Sequence, residues 1–409
     1  MHYELQHQQK HTDERSEHPH KPNNATTQQL NNSPRAKRAS PFYPRSGLPP
    51  QGSNQPRKLS GRLTSRRRSN PYLSPNSTPI ATFHWAILGL GKIAHSFATD
   101  LHRVEDAKLV AVGSRSQERA SEFGRQYGAE HAAGSYEATF DGPRLDAVYI
   151  ATPHTSHWEL TLMCLERGIP VLCEKPLGLS FVEVRDMIET ARRTGTYLME
   201  ALWSRFLPAL MEVKTVIDTG AIGEVESLRA DFGFLGQPRE DFDRDRLYNP
   251  ALGGGALLDI GIYPIWLAQY FFGAPESIHA AARLTELGAD IDTQVTLRYP
   301  GGRLAHCYST LLGITKCDAL ILGSEASLHI HPRFHESRGY SILRGRDVPP
   351  ENHYHAFEGK GYLFEARAVM EDIRAGRTES AQWSLDDSLL LHRTLTAVRE
   401  LIGVRYPGE

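Results

Sequence analysis

Cysteine is scarce in this chain and lacks any pattern. Cys164, Cys173, Cys307 and Cys317 are the only four among 409 residues. None forms a Cys-x-x-Cys pair and no His cluster stands at metal-ligand spacing, so neither a metal site nor a disulfide framework is expected. Free, buried thiols in domains of this size favour a reducing compartment, and the expected location is cytoplasmic. Long apolar runs are missing too. The longest, around residues 263–272, is short and interrupted, whereas a bilayer span needs about 20 residues, so no membrane segment is expected. An excess of one charge is also absent, with 46 Lys and Arg against 48 Asp and Glu, but that balance averages two unlike parts. Residues 1–80 hold 13 basic and 4 acidic side chains, and the remainder 33 and 44. The mildly acidic remainder offers no bulk field for nucleic acid or an anionic membrane, so any polyanion binding falls to the tail.

Residues 1–80 also lack aliphatic periodicity. They are rich in His, Gln, Asn, Ser, Pro and Arg, cannot bury enough surface to offset chain entropy, and read as a disordered basic tail. No apolar core of a secretory signal is present, and Glu4, Asp13, Glu14 and Glu17 argue against an organelle transit peptide. The run Arg66-Arg67-Arg68 is read as solvated charge, with an address or a nucleic-acid contact as the less favoured alternatives.

With 40% apolar residues, the rest of the chain can bury two cores of ordinary size, divided at about 81–201 and 202–409. The first begins with Phe83-His84-Trp85-Ala86-Ile87-Leu88, which reads as a buried strand, followed at once by Gly89-Leu90-Gly91-Lys92-Ile93-Ala94. In this Gly-x-Gly-x-x-Ala motif Gly89 permits a tight turn, Gly91 leaves room for a pyrophosphate, and Ala94 lets helix and strand pack closely. Lys92 and Ile93 open the helix whose N-terminus faces the phosphates. Alone, the motif competes with an ordinary glycine turn; the strand before it and the helix after it favour dinucleotide binding. The next strand, Leu109 to Gly113, ends in Ser114-Arg115, where an NAD site would place an acid. An Arg there suits a 2′-phosphate and points to NADP, with NAD as the alternative if Arg115 is merely an exposed loop residue.

A strand at 146–151 runs into Thr152-Pro153-His154-Thr155-Ser156-His157. Thr152, Pro153, His154 and His157 are thereby placed to border a nicotinamide ribose, unless either His only caps the following helix. Glu174-Lys175-Pro176 follows the strand Val171-Leu172-Cys173, where Lys175 can reach the cofactor's reactive ring. Strands alternating with helical patterns over 83–200 give a doubly wound parallel sheet. From about Glu224 the pattern changes to alternating strands joined by turns such as Tyr299-Pro300-Gly301-Gly302, which implies a large, mostly antiparallel sheet in an α+β domain. A helix is expected over 362–374, and a last one over 385–401 that packs back on the first domain.

Taken together, the Gly89 motif, Thr152-Pro153-His154, Glu174-Lys175-Pro176 and Asp259-Ile260-Gly261-Ile262-Tyr263 resemble the glucose-fructose oxidoreductase, inositol dehydrogenase and MocA superfamily. Met199 to Phe206, Gly253 to Tyr263 and Ile402-Gly403-Val404 resemble its dimeric dihydrodiol dehydrogenase branch, which also oxidises D-xylose with NADP. The similarity runs from about residue 83 to 406. It implies a homodimer joined through the open face of the second sheet, a sugar or cyclic diol as substrate, and catalytic roles for Lys175 and Tyr263. Many relatives have His where this chain has Tyr263, in agreement with the dihydrodiol branch.

Asp259 and Tyr263, spaced i, i+4, would share one face of a helix starting after Gly253-Gly254-Gly255, although Pro264 requires that helix to begin late or to kink. Tyr263 reads as a base whose pKa, ordinarily about 10, is lowered by the Lys175 ammonium. The alternatives are Lys175 as base, or Tyr263 as a core aromatic. Asp259 would orient a substrate hydroxyl or hold Lys175 charged. Trp203, Arg205 and Phe206 are candidate substrate contacts, because aromatic faces suit a carbocycle or sugar. Against that stand domain-interface packing for Trp203 and Phe206 and a pairing with Glu200 for Arg205. Two other functions compete: an oxidoreductase of another polyol or deoxysugar, and a dinucleotide-sensing regulator without turnover, against which the presence of both Lys175 and Tyr263 argues.

Overall fold

Two sheets organise residues 81–237 and 245–407, which are the residues the computed structural model describes. The tail of residues 1–80, expected to be disordered, lies outside them. The first sheet is built from β1 (Phe83–Leu88), β2 (Ala107–Gly113), β3 (His131–Ala133), β4 (Ala147–Ile150), β5 (Val171–Glu174) and β6 (Leu198–Ala201), in the order β3-β2-β1-β4-β5-β6. Every pairing is parallel, which is the doubly wound arrangement. β4, β5 and β6 are buried at every residue, as strands covered by helices on both faces must be. Those helices are α1 (Lys92–Leu101), α2 (Gln117–Tyr127), α3 (His157–Leu165) and α4 (Phe181–Thr194). α1 buries Ala94, Phe97, Ala98 and Leu101, a single stripe at helical spacing. Ser180 caps α4 by accepting from the Glu183 amide, and Gly195 ends it at φ 64, the left-handed stop that glycine makes without a steric cost.

The second sheet has eight strands: β7 (Val225–Gly233), β8 (Ser277–Leu284), β9 (Asp290–Arg298), β10 (Leu304–Thr310), β11 (Ala319–Gly323), β12 (Ser327–Ile330), β13 (Gly339–Leu343) and β14 (Glu351–Tyr354), in the order β14-β13-β12-β11-β7-β10-β9-β8. Only β7 and β10 are parallel neighbours. The remaining helices are α5 (Pro208–Asp218), α6 (Ile262–Phe272), α7 (Tyr362–Arg374) and α8 (Leu385–Ile402). α6 is apolar around most of its circumference and lies on β7 and β10, while α8 packs against β8, α4 and β6. No described helix is long and apolar enough to cross a membrane.

Pro264 is accommodated by a change of helical register rather than a break. A π-turn, Leu257–Gly261, leads directly into α6 and places Pro264 in its first turn. Proline's fixed φ suits that position, and the change of register ahead of it accommodates the missing N–H.

A buried histidine–carboxylate contact joins the last helix to the first sheet. Glu200 in β6 and His392 in α8 are both fully buried, 2.9 Å apart, and the same Glu200 oxygen accepts the Leu177 amide at 2.9 Å. Burial pushes the Glu200 carboxyl up, but His392 and the other donors outweigh it and hold the group below its ordinary value. Removing one member of such a pair leaves a buried charge uncompensated, at a cost of about 3–5 kcal/mol. His392→Ala is therefore expected to destabilise the protein by about that amount in urea denaturation. A loss below about 1 kcal/mol would mean that the backbone amide alone satisfies the carboxylate.

Candidate active site

The carboxyl ends of β1, β2, β4 and β5 border one cleft of about 760 Å³. A wider groove, about 910 Å³, runs between α4 and the end of α8, but none of these strand ends faces it. In the cleft, the turn after β1 supplies Gly89, Gly91, Lys92 and Ile93. Gly89 sits at φ 87, and a Cβ there would lie 2.7 Å from the Thr152 backbone nitrogen, so both conformation and space require glycine. At Gly91 a Cβ would meet nothing within 4 Å; that open side is where a phosphate can approach. Gly91 is the N-cap of α1 and offers no side-chain hydrogen bond to the helix, which leaves the first amides free for an anion. The donor set thus fits a dinucleotide pyrophosphate.

At the end of β2, buried Ser114 and exposed Arg115 line the cleft with no acid between them. Arg119, which the sequence reading overlooked, lines it as well and is held by a 3.1 Å bond from its guanidinium to the Leu90 carbonyl.

Thr152, Pro153 and His154 line the cleft from the β4 side. The Thr152 hydroxyl is buried without a partner. His154 Nδ1 lies 3.1 Å from the Gly253 carbonyl, so that nitrogen carries the proton of a neutral imidazole. Burial first, then His157 and Arg246, holds its pKa well below the ordinary value. His157, expected beside a ribose, is not among the cleft's lining residues. It is fully buried and clamps two loops from beneath, with its ring nitrogens 2.8 Å from the Pro176 carbonyl and 3.0 Å from that of Thr152. Glu174 does line the cleft. It accepts the Tyr149 hydroxyl and, at 3.2 Å, the Lys175 amide, and burial raises its carboxyl to about 7.

Lys175 stands at the cleft floor and donates from Nζ to the backbone carbonyl of Asp259 at 2.6 Å. In the i→i+5 register of a π-turn that carbonyl would pair with residue 264, which is proline and has no N–H. The lysine takes this carbonyl as its acceptor. The Asp259 carboxylate receives both terminal nitrogens of Arg246 at 3.2 Å. Burial raises its pKa, but Lys175 and Arg246 outweigh that and hold it below the usual carboxylate range. Arg246 was not singled out from the sequence; the charged run ending at Arg246 was its only trace there.

Tyr263 departs from expectation in two respects. Unlike Asp259, it is not among the residues that line the cleft. It is buried, its ring lies 5.0 Å from Lys175 Nζ, and its hydroxyl accepts the Trp203 indole N–H at 2.9 Å. Nor is its pKa drawn down. Burial, followed by the nearby Glu174 carboxylate, raises it well above the ordinary value. Trp203 stacks on Tyr362, with ring centroids 4.7 Å apart, and Phe206 is core. Arg205 does not pair with Glu200 and does not line the cleft. Its guanidinium covers Tyr270, 4.5 Å from the ring centroid. Among the described residues, no group of three or more His, Cys, Asp or Glu is arranged to hold a metal.

Comparison with known proteins agrees with this geometry. Residues 83–202 match the family model for an oxidoreductase family with an NAD-binding Rossmann fold, and residues 210–329 match the Gfo/Idh/MocA C-terminal domain. Trans-1,2-dihydrobenzene-1,2-diol dehydrogenase of Mus musculus is 36% identical over 332 residues, covering 80% of this chain and 98% of the relative. The human enzyme of the same name is 34% identical over 338 residues, with 80% and 98% covered. Among solved structures, an aldose-aldose oxidoreductase from Caulobacter crescentus complexed with glycerol superposes with a TM-score of 0.71 at 27% identity, covering 78% of this chain and 97% of the other. A 3-ketoreductase from Actinomadura kijaniata in complex with NADP and TDP-benzene gives 0.70 at 27%, covering 79% and 99%. The chain belongs to the Gfo/Idh/MocA oxidoreductases and is a dehydrogenase acting on CH-OH groups with a nicotinamide dinucleotide.

Proposed function

We propose that this protein is an NADP-dependent dehydrogenase that interconverts a ring hydroxyl and its carbonyl on a D-xylose-like aldose or a trans-dihydrodiol. The observation that carries this reading is the presence of Lys175, Asp259 and Arg246 in the same cleft as the Gly89 to Gly91 turn. That recess at the strand ends can hydrogen-bond a hydroxylated ring beside the cofactor. The diol and aldose in the names of its relatives are substrates of that chemistry. A homodimer formed through the open face of the eight-stranded sheet, working in the cytoplasm, completes the proposal; β8 at the edge of that sheet is largely exposed and has no strand beyond it.

In this reading Gly89, Gly91, Lys92 and Ile93 receive the pyrophosphate, Ser114, Arg115 and Arg119 a 2′-phosphate, and Thr152, Pro153, His154 and Glu174 the nicotinamide riboside. The bound nicotinamide supplies or takes up the hydride. Lys175, fixed by the Asp259 carbonyl, donates a hydrogen bond to the reacting substrate oxygen. Asp259, paired with Arg246, orients a neighbouring hydroxyl. Tyr263 exchanges the proton: as a neutral phenol it donates to the oxygen during carbonyl reduction, and as a phenolate it takes the hydroxyl proton during oxidation.

Because Tyr263 is held above its ordinary value, its phenolate is scarce at neutral pH. Oxidation of D-xylose or trans-1,2-cyclohexanediol is therefore expected to rise about tenfold per pH unit from 7 to 9, while reduction of the product stays nearly level. Tyr263→Phe should lower kcat about 10²- to 10⁴-fold in both directions and leave NADP affinity intact. An unchanged pH slope in an active Phe variant would transfer the proton role to Lys175.

Cofactor choice gives a second test. Arg115→Asp should lower kcat/KM with NADP by about 10- to 100-fold, the loss of one charge-assisted contact, and affect NAD far less. Arg119→Ala should act in the same direction. An unaltered NADP to NAD ratio in both variants would refute the 2′-phosphate assignment.

A further inference from the structure

The helix α7 begins on a carboxylate that belongs to another helix. Asp100, fully buried in the last turn of α1, accepts the backbone N–H groups of Lys360 at 2.9 Å, Gly361 at 2.8 Å and Tyr362 at 3.0 Å. Gly361 is the N-cap of α7, lies at φ 110 and makes no side-chain cap, so Asp100 supplies the acceptor that a Ser or Asp at that position ordinarily would. The fit is close: a Cβ on Gly359 would come within 2.2 Å of Asp100 Oδ1. Lys360 Nζ adds a 2.9 Å bond to Ser96, also in α1.

The other end of this contact reaches the site. Tyr362, the first residue of α7, stacks on Trp203 at 24° between ring planes. A Cβ on Gly361 would lie 3.1 Å from the same indole, so the start of α7 presses directly on it. The indole N–H of Trp203 in turn donates to the Tyr263 hydroxyl at 2.9 Å. Unbroken contacts therefore run from α1, whose opposite end faces the glycine turn of the cleft, to the phenol oxygen.

We infer that Asp100 is a positioning residue for catalysis: by anchoring Tyr362 against Trp203 it holds the indole N–H on the Tyr263 oxygen, and it does so from the helix that receives the dinucleotide. The inference rests on the assignment of proton exchange to Tyr263. A hydrogen bond donated to the phenol oxygen favours its phenolate, so loss of that alignment raises the pH at which the phenolate forms. A carboxylate that only stabilised the fold would lower thermal stability without changing that pH dependence.

The test uses the full chain carrying Asp100→Ala, Tyr362→Leu or Trp203→Phe, with Tyr263→Phe as a control. NADP affinity is measured by fluorescence, and kcat for D-xylose and trans-1,2-cyclohexanediol oxidation is followed from pH 6 to 10. Each of the first three variants is expected to bind NADP within about twofold of the parent, to lose about threefold or more in kcat at pH 8, and to move the ascending limb upward by the matching amount of about half a pH unit or more. Trp203→Phe keeps an aromatic ring against Tyr362 and removes only the donor, so its profile defines the effect. If Asp100→Ala does not fold, Tyr362→Leu decides. Parental pH profiles in folded Asp100→Ala or Tyr362→Leu protein, beside an inactive Tyr263→Phe, would overturn the positioning role alone. A fully active Tyr263→Phe would remove the tyrosine assignment and this inference with it.

Discussion

The bond from Lys175 Nζ to the Asp259 carbonyl, 2.6 Å long, is the constraint around which the two halves of the cleft are organised. It is made where the helix changes register just ahead of a proline. Pro264 cannot supply an N–H, the π-turn at Leu257–Gly261 precedes it, and the Asp259 carbonyl within that turn accepts from the lysine that follows β5 of the first sheet. The lysine is held from the other side as well. His157 bonds the Pro176 carbonyl, and Glu200, paired with His392, bonds the Leu177 amide. The turn that carries Lys175 is thus fastened by three buried polar groups drawn from α3, β6 and α8, which suits the proposed role of its head beside the reacting oxygen.

Electrostatics then separates carboxylates that share this lysine. Glu174 and Asp259 both feel Lys175, but Glu174 is raised to about 7 by burial against a phenol, whereas Asp259 has Arg246 as a second cation and is held below the usual range. Neighbouring acids pushed in opposite directions are a recurrent way for one site to keep a fixed charge beside an exchangeable proton. Here Asp259 is the fixed charge. Glu174 and Tyr263 are the groups on which a proton can rest at neutral pH.

How much of this was legible from residues alone follows from the range over which each signal acts. Gly89 was readable because its φ of 87 is a local demand that few residue types can meet. β4 and β5 were readable because burial on both faces leaves a short apolar run in each. β3, of three residues, and β12 and β14, of four, are too short to show alternation and are defined by the neighbours they pair with. The expected late or kinked helix start at Pro264 became a π-turn, which periodicity does not encode. At the site, Lys175, Glu174, Asp259 and His154 occupy the expected cleft. Arg246 escaped notice because its partner is decided by how a loop folds over the π-turn. Arg205 and His157 were misplaced for the same reason: Tyr270 and the Pro176 carbonyl claim them, and neither pairing follows from sequence distance.

The reading of Tyr263 failed differently, and the failure is instructive about the chemistry. Pairing a phenol with an ammonium predicts a lowered pKa if that pair is considered alone. The structure instead places the cation over the ring face, directs its hydrogen bond to a carbonyl, and surrounds the phenol with apolar walls and a second acid. Desolvation disfavours the charged form of any acid, and here it outweighs one cation that is not bonded to the phenol oxygen. The donor aimed at that oxygen is the Trp203 indole, held by Tyr362 and, through it, by Asp100. On the proposed role of Tyr263, control over the phenolate therefore lies less with the lysine beside it than with a stack of aromatic rings anchored on the first helix.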